Sequence, residues 1–157
     1  MPNDSLFNRV DQLLSTQLQG VLATQQQNQP YTSLMAFAHT PDLRYLIFAT
    51  YRDTQKHANL LLNAEVSFLI DNRTNAQIDY EQAIAISVIG HAQSIPDSDH
   101  GGQHALYVNK HPQLRHFVAS AHCALLRINV GCYRMVSKFE AVEILSPVDS
   151  AGAMVGS

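Results

Sequence analysis

The feature that most narrows what this chain can fold into is the brevity of the links between its strand-like segments. Gly20-Val-Leu-Ala-Thr24, Tyr31 to His39 and Arg44 to Thr50 follow one another across the polar run Gln25 to Pro30 and the turn Thr40-Pro41-Asp42. A parallel neighbour requires a crossover of a dozen or more residues, whereas links this short suit antiparallel strands. Alternation puts Tyr31, Ser33, Met35 and Phe37 on one face of the second segment, and the third is rich in aromatic and β-branched residues. The chain is therefore expected to begin as an antiparallel meander.

Around that meander the pattern changes period. Leu6, Phe7, Val10, Leu13, Leu14 and Leu18 form the stripe of an amphipathic helix over Asn3 to Leu18, with Asp4 or Ser5 as N-cap and Gly20 as stop. Thr54 to Leu62 is a second helix, capped by Thr54 or Asp53. Val66 to Ile70 reads as a buried strand, Asp71 to Gln82 as a polar loop, and Ala83 to Ile95 as a long strand in which Gly90 marks a bulge or a close backbone approach. Asp97 to Ala121 is expected to hold one or two short helices broken near His111-Pro112, before strands at Ala124 to Val130 and Cys132 to Phe139. Six or seven strands with peripheral helices make a mainly β chain, best built as a small, mostly antiparallel barrel. At 157 residues, 46% of them hydrophobic, it is expected to fold as a single domain over residues 1–145, with a flexible tail at 146–157.

Composition removes several function classes. Ten Lys and Arg against 13 Asp and Glu leave no basic excess for a nucleic-acid backbone. No apolar run approaches the roughly 18 residues of a membrane span, and the first twenty residues lack a signal-peptide core, so a soluble cytoplasmic protein is expected. Cys123 and Cys132, on what read as successive strands, are taken as buried thiols, with a single bridge between neighbouring strands left open. Six of the eight histidines fall between His91 and His122, and His100 and His104 have a helical metal-ligand spacing. The two glycines between them argue against a rigid helix, and no metal site is expected. There is no nucleophile-elbow pattern, so hydrolysis has no support.

The stretch with most chemical content runs from Phe48 to Asn59. Thr50 ends a strand, Arg52 sits in the turn, and Thr54, Gln55 and Lys56 open a helix whose unpaired N–H groups and dipole favour an anion. A hydroxyl, an amide and an ammonium on consecutive residues add donors suited to a phosphate. From spacing alone an ordinary capped helix with a solvated lysine is the favoured reading. Asp71-Asn-Arg-Thr-Asn75 is expected to be a turn held by side-chain to backbone bonds, with contact of Arg73 or Asn72 to a ligand as a secondary reading.

Several of these pieces recur together in one known family. They are Gly20 to Thr24, Pro30-Tyr-Thr-Ser33 entering a strand, Leu46-Ile-Phe-Ala-Thr50 followed six residues later by Lys56, and Asn59-Leu60. Val66 to Ile70, the strand ending Gly90-His-Ala, and Leu125 to Asn129 complete the set. In their order the chain resembles the FMN-binding split barrel family, the pyridoxamine 5′-phosphate oxidase-like flavoproteins. The resemblance implies a homodimer with FMN at the subunit interface. It makes Lys56 the phosphate-binding lysine, with Thr54 and Gln55 in the adjoining phosphate-contacting positions and Arg52 as a helper. Ser33 and Leu34 match the segment along the phosphate and ribityl chain, and Ala49 and Thr50 the backbone at the isoalloxazine ring. Ser33 and Gln55 stand where the oxidases proper carry arginines, and the Arg- and Trp-containing substrate segment of those oxidases has no counterpart here, so vitamin B6 oxidation is not expected. The implied function is an FMN-dependent oxidoreductase acting on a small molecule, catalytic residues unassigned. The alternative is a non-catalytic protein that stores, senses or carries flavin or haem, and FMN is not distinguished from a deazaflavin.

Overall fold

In the computed structural model, which describes residues 2–137 and 141–147, strands β1 (Gln19–Gln26) and β2 (Gln29–His39) pair from Gln19↔Ala36 to Gln26↔Gln29. The polar run between them therefore shrinks to the two-residue turn Gln27-Asn28. Both residues have positive φ, 49° and 67°, the hand that matches the twist of the flanking strands. β3 (Tyr45–Tyr51) pairs with β2, and after helix α2 (Gln55–Leu62) the chain returns as β4 (Glu65–Asp71) on the other side of β1. A short helix α3 (Asp79–Gln82) precedes β5 (Ile84–Ser94), which pairs with β4. Helices α4 (Asp97–Lys110) and α5 (Arg115–Ala119), separated by a 3₁₀ turn at Pro112–Leu114, lead into β6 (Cys123–Ser137) and the outer strand β7 (Ala141–Leu145).

β6 closes the molecule. It pairs with β5 along its length and with β3 from Cys123 to Asn129, so that β1, β2, β3, β6, β5 and β4 form an antiparallel six-strand barrel with β7 outside it. The sequence pattern placed two strands on either side of Gly131; the structure has one. Ile89 pairs with Cys132 and Gly90 with Val130, so Gly131 is the extra residue of a bulge that bends the strand without ending it. Cys123 and Cys132 thus share a strand, and both are free. Gly90 is the close approach its position suggested, since a Cβ there would run into the carbonyl oxygen of Asn129 and lie 2.9 Å from Ile128 Cγ2.

The leading helix α1 (Pro2–Thr16) starts earlier and stops sooner than expected. Asp4 and Ser5 lie within its span and not ahead of it, and Gly20 belongs to β1, where a Cβ would lie 2.6 Å from the Leu69 carbonyl oxygen of β4. Its apolar stripe, Val10, Leu13 and Leu14, packs into the barrel core with Leu22, Phe37, Phe48 and Phe68. Alternation then divides β2 and β3 between two cores. Phe37, Leu46 and Phe48 face the barrel interior, while Ala38, Ile47 and Ala49 face outward under Tyr107, Val108 and Val118 of α4 and α5. β3 is consequently buried on both faces, and its C-terminal end lies between the barrel and the α4–α5 cover.

α4 runs unbroken through Gly101 and Gly102, against the expectation drawn from them. Both glycines face open space, and the rings of His100 and His104 stack 6.0 Å apart on the same helix. Among the described residues there is no group of three metal-ligating side chains, and no helix is long and apolar enough to cross a membrane. The expected strand end at Phe139 and the tail beyond Pro147 lie outside the described residues.

Candidate functional site

The turn from β3 into α2 is built by its threonines. Thr54 is the extended N-cap of α2: its Oγ1 accepts from the His57 N–H (3.3 Å), donates to the Tyr51 carbonyl (2.9 Å) and lies 3.1 Å from Thr50 Oγ1. That leaves the N–H groups of Gln55 and Lys56 at the helix start without a helical partner. Behind them the fully buried Asn59 donates to Thr24 Oγ1 (3.0 Å) and accepts from Gln55 Nε2 (2.7 Å), which clamps α2 onto β1. Lys56 is half-buried and pairs with no carboxylate among the described residues.

These groups open onto a pocket of about 250 Å³. Leu34 and Met35 of β2, Ala49, Thr50 and Tyr51 of β3, and Thr54 and Lys56 form one side; Tyr107, Leu114 and Phe117 form the other. Lys56 is the only charged residue of that lining. Tyr51 and Phe117 meet edge to face with centroids 4.8 Å apart, an aromatic wall beside the cation. Tyr107 is 1% exposed, and burial with a contribution from Cys123 pushes its phenol up to about 12, so it stays a neutral donor at physiological pH. Burial likewise raises the Cys123 thiol, which remains protonated there.

Of the residues singled out in the sequence, Leu34, Ala49, Thr50, Thr54 and Lys56 come together on this lining, and Ser33, Arg52 and Gln55 do not. Ser33 pairs opposite Leu22 and alternates away from Leu34. Gln55 spends its amide donors on Gln26 and Asn59. Arg52 Nε reaches the Ala121 carbonyl (3.4 Å), and the side chain lines a separate pocket with His57. Sequence reasoning missed Tyr107, Leu114 and Phe117, which showed only as apolar positions in short helices.

Two other regions have less to offer an anion. A larger, more open groove of about 380 Å³ over β1 and β4 contains Glu65 as its one charged residue. The Asp71 to Asn75 loop is satisfied internally. Asp79 accepts from the N–H and hydroxyl of Thr74 and the N–H of Asn75, bonds that hold its carboxyl below the usual value. Asp71 pairs with Arg73 at 3.1 Å, and Asn72 accepts from the Ile84 N–H.

A closed antiparallel six-strand barrel with an outer strand, whose β3–α2 junction brings a capping threonine and an uncommitted lysine to one pocket, defines a split-barrel protein. The chain belongs to the pyridoxamine 5′-phosphate oxidase family, whose model matches residues 6–136. Comparison with curated proteins gives no match. Among solved structures, a haem-binding protein from Mycobacterium smegmatis superposes with a TM-score of 0.79 at 13% identity over 90% of this chain. The chain spans only 57% of that protein's length. General stress protein 26 from Bacillus anthracis gives 0.66 at 23% identity, covering 90% of this chain and 98% of its own. A FAD-binding protein from Mesorhizobium loti gives 0.65 at 17% identity, covering 82% and 91%. Identities this low carry the fold alone.

Proposed function

We propose that this chain is a dimeric, cytoplasmic FMN-binding protein and an FMN-dependent oxidoreductase acting on a small molecule, with the flavin in the pocket between β3, α2 and the α4–α5 cover. The observation that carries this reading is the convergence of Leu34, Ala49, Thr50, Thr54 and Lys56 from three elements onto one lining. The donor set fits a flavin phosphate: an ammonium without a carboxylate partner beside free N–H groups at a helix start. The apolar Leu34 and the Tyr51–Phe117 wall fit a flat aromatic ring. Bound flavin supplies the electron transfer, and the residues of the chain bind, orient and exclude water. Thr54 fixes the helix start against which the phosphate charge is neutralised, and Tyr107 offers a neutral phenol to the pocket.

Phosphate recognition rests on Lys56, since Arg52 lines a different pocket and Gln55 gives its amide donors to Gln26 and Asn59. Lys56→Ala removes a charge-assisted contact and weakens FMN binding about ten-fold or more, read by fluorescence titration; unchanged affinity would sink the site. The name of the mycobacterial neighbour supports a second reading, a non-catalytic flavin or haem carrier. No histidine is among the residues lining the pocket, and His111 is already bonded to the Phe37 carbonyl at 2.7 Å, so the lining favours flavin. Reduction of bound flavin by NAD(P)H separates enzyme from carrier, and the visible spectrum of purified protein separates flavin from haem.

A further inference from the structure

On another side of α2 lies a second cavity, of about 320 Å³, that the flavin reading leaves without a role. Its polar lining is Arg52, His57, Gln93 and Ser94, and it contains no carboxylate. His57 is buried to all but 9% of its surface, yet its ring has no hydrogen-bond partner among the described residues. Its ring nitrogens are not fully buried, since Gln103 Oε1 is the one fully buried side-chain polar atom without a partner among the described residues, so the ring can be reached by a ligand in the cavity. Gln93 Oε1 accepts from Arg127 Nε at 2.8 Å, which leaves its two amide N–H donors without a partner among the described residues. Arg52 is held at the rim by the Ala121 carbonyl and faces no acidic partner among the described residues. Leu60, Ala92 and Leu126 make the rest of the lining apolar, with the exposed Leu61 at its edge.

A guanidinium and an amide with only donors left, beside an imidazole and a hydroxyl that can each donate, line a partly apolar cavity that holds no carboxylate. We infer that this cavity binds a small organic carboxylate with an apolar body, its carboxylate at Arg52, His57 and Gln93 and its hydrocarbon part on the leucines. The guanidinium fork matches a carboxylate's two oxygens, and the apolar part of the lining separates such a ligand from an inorganic anion. The site is distinct from the flavin pocket, because Lys56 and Thr54 line one and His57 and Leu60 line the other.

The test is an NMR titration of the full chain, following the His57 imidazole resonances, with benzoate, its neutral analogue benzamide, and inorganic phosphate as probes. Benzoate should shift His57 saturably, with benzamide and phosphate each at least about ten-fold weaker. Arg52→Ala, a change at an exposed position that leaves the core intact, should weaken benzoate about ten-fold or more, and Lys56→Ala should leave it unchanged. The inference is overturned by any of four results: no saturable shift, equal binding of benzamide or phosphate, full binding by Arg52→Ala, or displacement of benzoate by FMN.

Discussion

Asn59 does more to shape the candidate flavin pocket than its place behind the lining suggests. It is fully buried, and its amide joins Thr24 of β1 to Gln55 of α2, so the direction of the helix start depends on it. Asn59→Ala leaves the Thr24 hydroxyl, itself 3% exposed, without its amide partner. The expected loss of stability is about 2 kcal/mol, measured as a lower urea midpoint at unchanged slope. FMN affinity should fall with it, because Lys56 rides on the same helix turn. At this scale the sequence exposes residue types but not directions. Lys56, Thr54 and Gln55 are consecutive, yet Gln55 is turned onto Gln26 and Asn59 while its neighbours line the pocket. Arg52, two residues from Thr54, is drawn away by the Ala121 carbonyl, a partner about seventy positions downstream that no local pattern announces.

Between elements, α1, β2 and α4 meet through a set of basic groups. His39 Nε2 lies 2.8 Å from Asp11 Oδ1, Lys110 Nζ donates to the Leu14 carbonyl at 2.8 Å and stands 3.9 Å over the Phe37 ring, and His111 bonds the Phe37 carbonyl. Burial lowers the pKa of His39 despite Asp11, lowers that of His111 with Lys110 adding to it, and brings Lys110 down to about 8. Each group is therefore more readily protonated in the unfolded chain than in the folded one, and stability rises with pH wherever that difference operates. The urea midpoint should climb from pH 5 to 7 as the unfolded-state histidines lose their protons. Lys110 acts later. From pH 8 to 9.5 the stability difference between wild type and Lys110→Met should move in favour of wild type, and a constant difference would contradict it. Element boundaries were legible where a cap or a strong alternation marks them, as at Thr54 and along β2. They were misread where glycine carried two meanings: Gly131 bends β6 at a bulge and Gly101 sits harmlessly on an exposed helix face.

For the whole molecule, short links made the antiparallel class readable, but closure was not, because β3 and β6 join residues some eighty positions apart through pairings that leave no local trace. β7 escaped for a related reason. It lies outside the barrel with four of its five residues exposed, so the alternation that reveals a half-buried strand is missing. Closure also determines what the barrel shows to its surroundings. Across the outside of β2, β1 and β4 the register aligns Leu34, Val21 and Leu69, with Leu34 67% and Leu69 39% exposed. Leu34 belongs at once to this row and to the candidate flavin pocket. A second copy seated on the row would cover the pocket and bury apolar surface that water now meets. Leu69→Lys places a charge at the β4 end of that row without entering the core. By light scattering, wild type should have the mass of a dimer and Leu69→Lys that of a monomer, with FMN affinity reduced about ten-fold or more in the variant. A wild-type monomer would remove the dimer from the reading. A Leu69→Lys dimer with full affinity would keep the dimer and move its interface to another face.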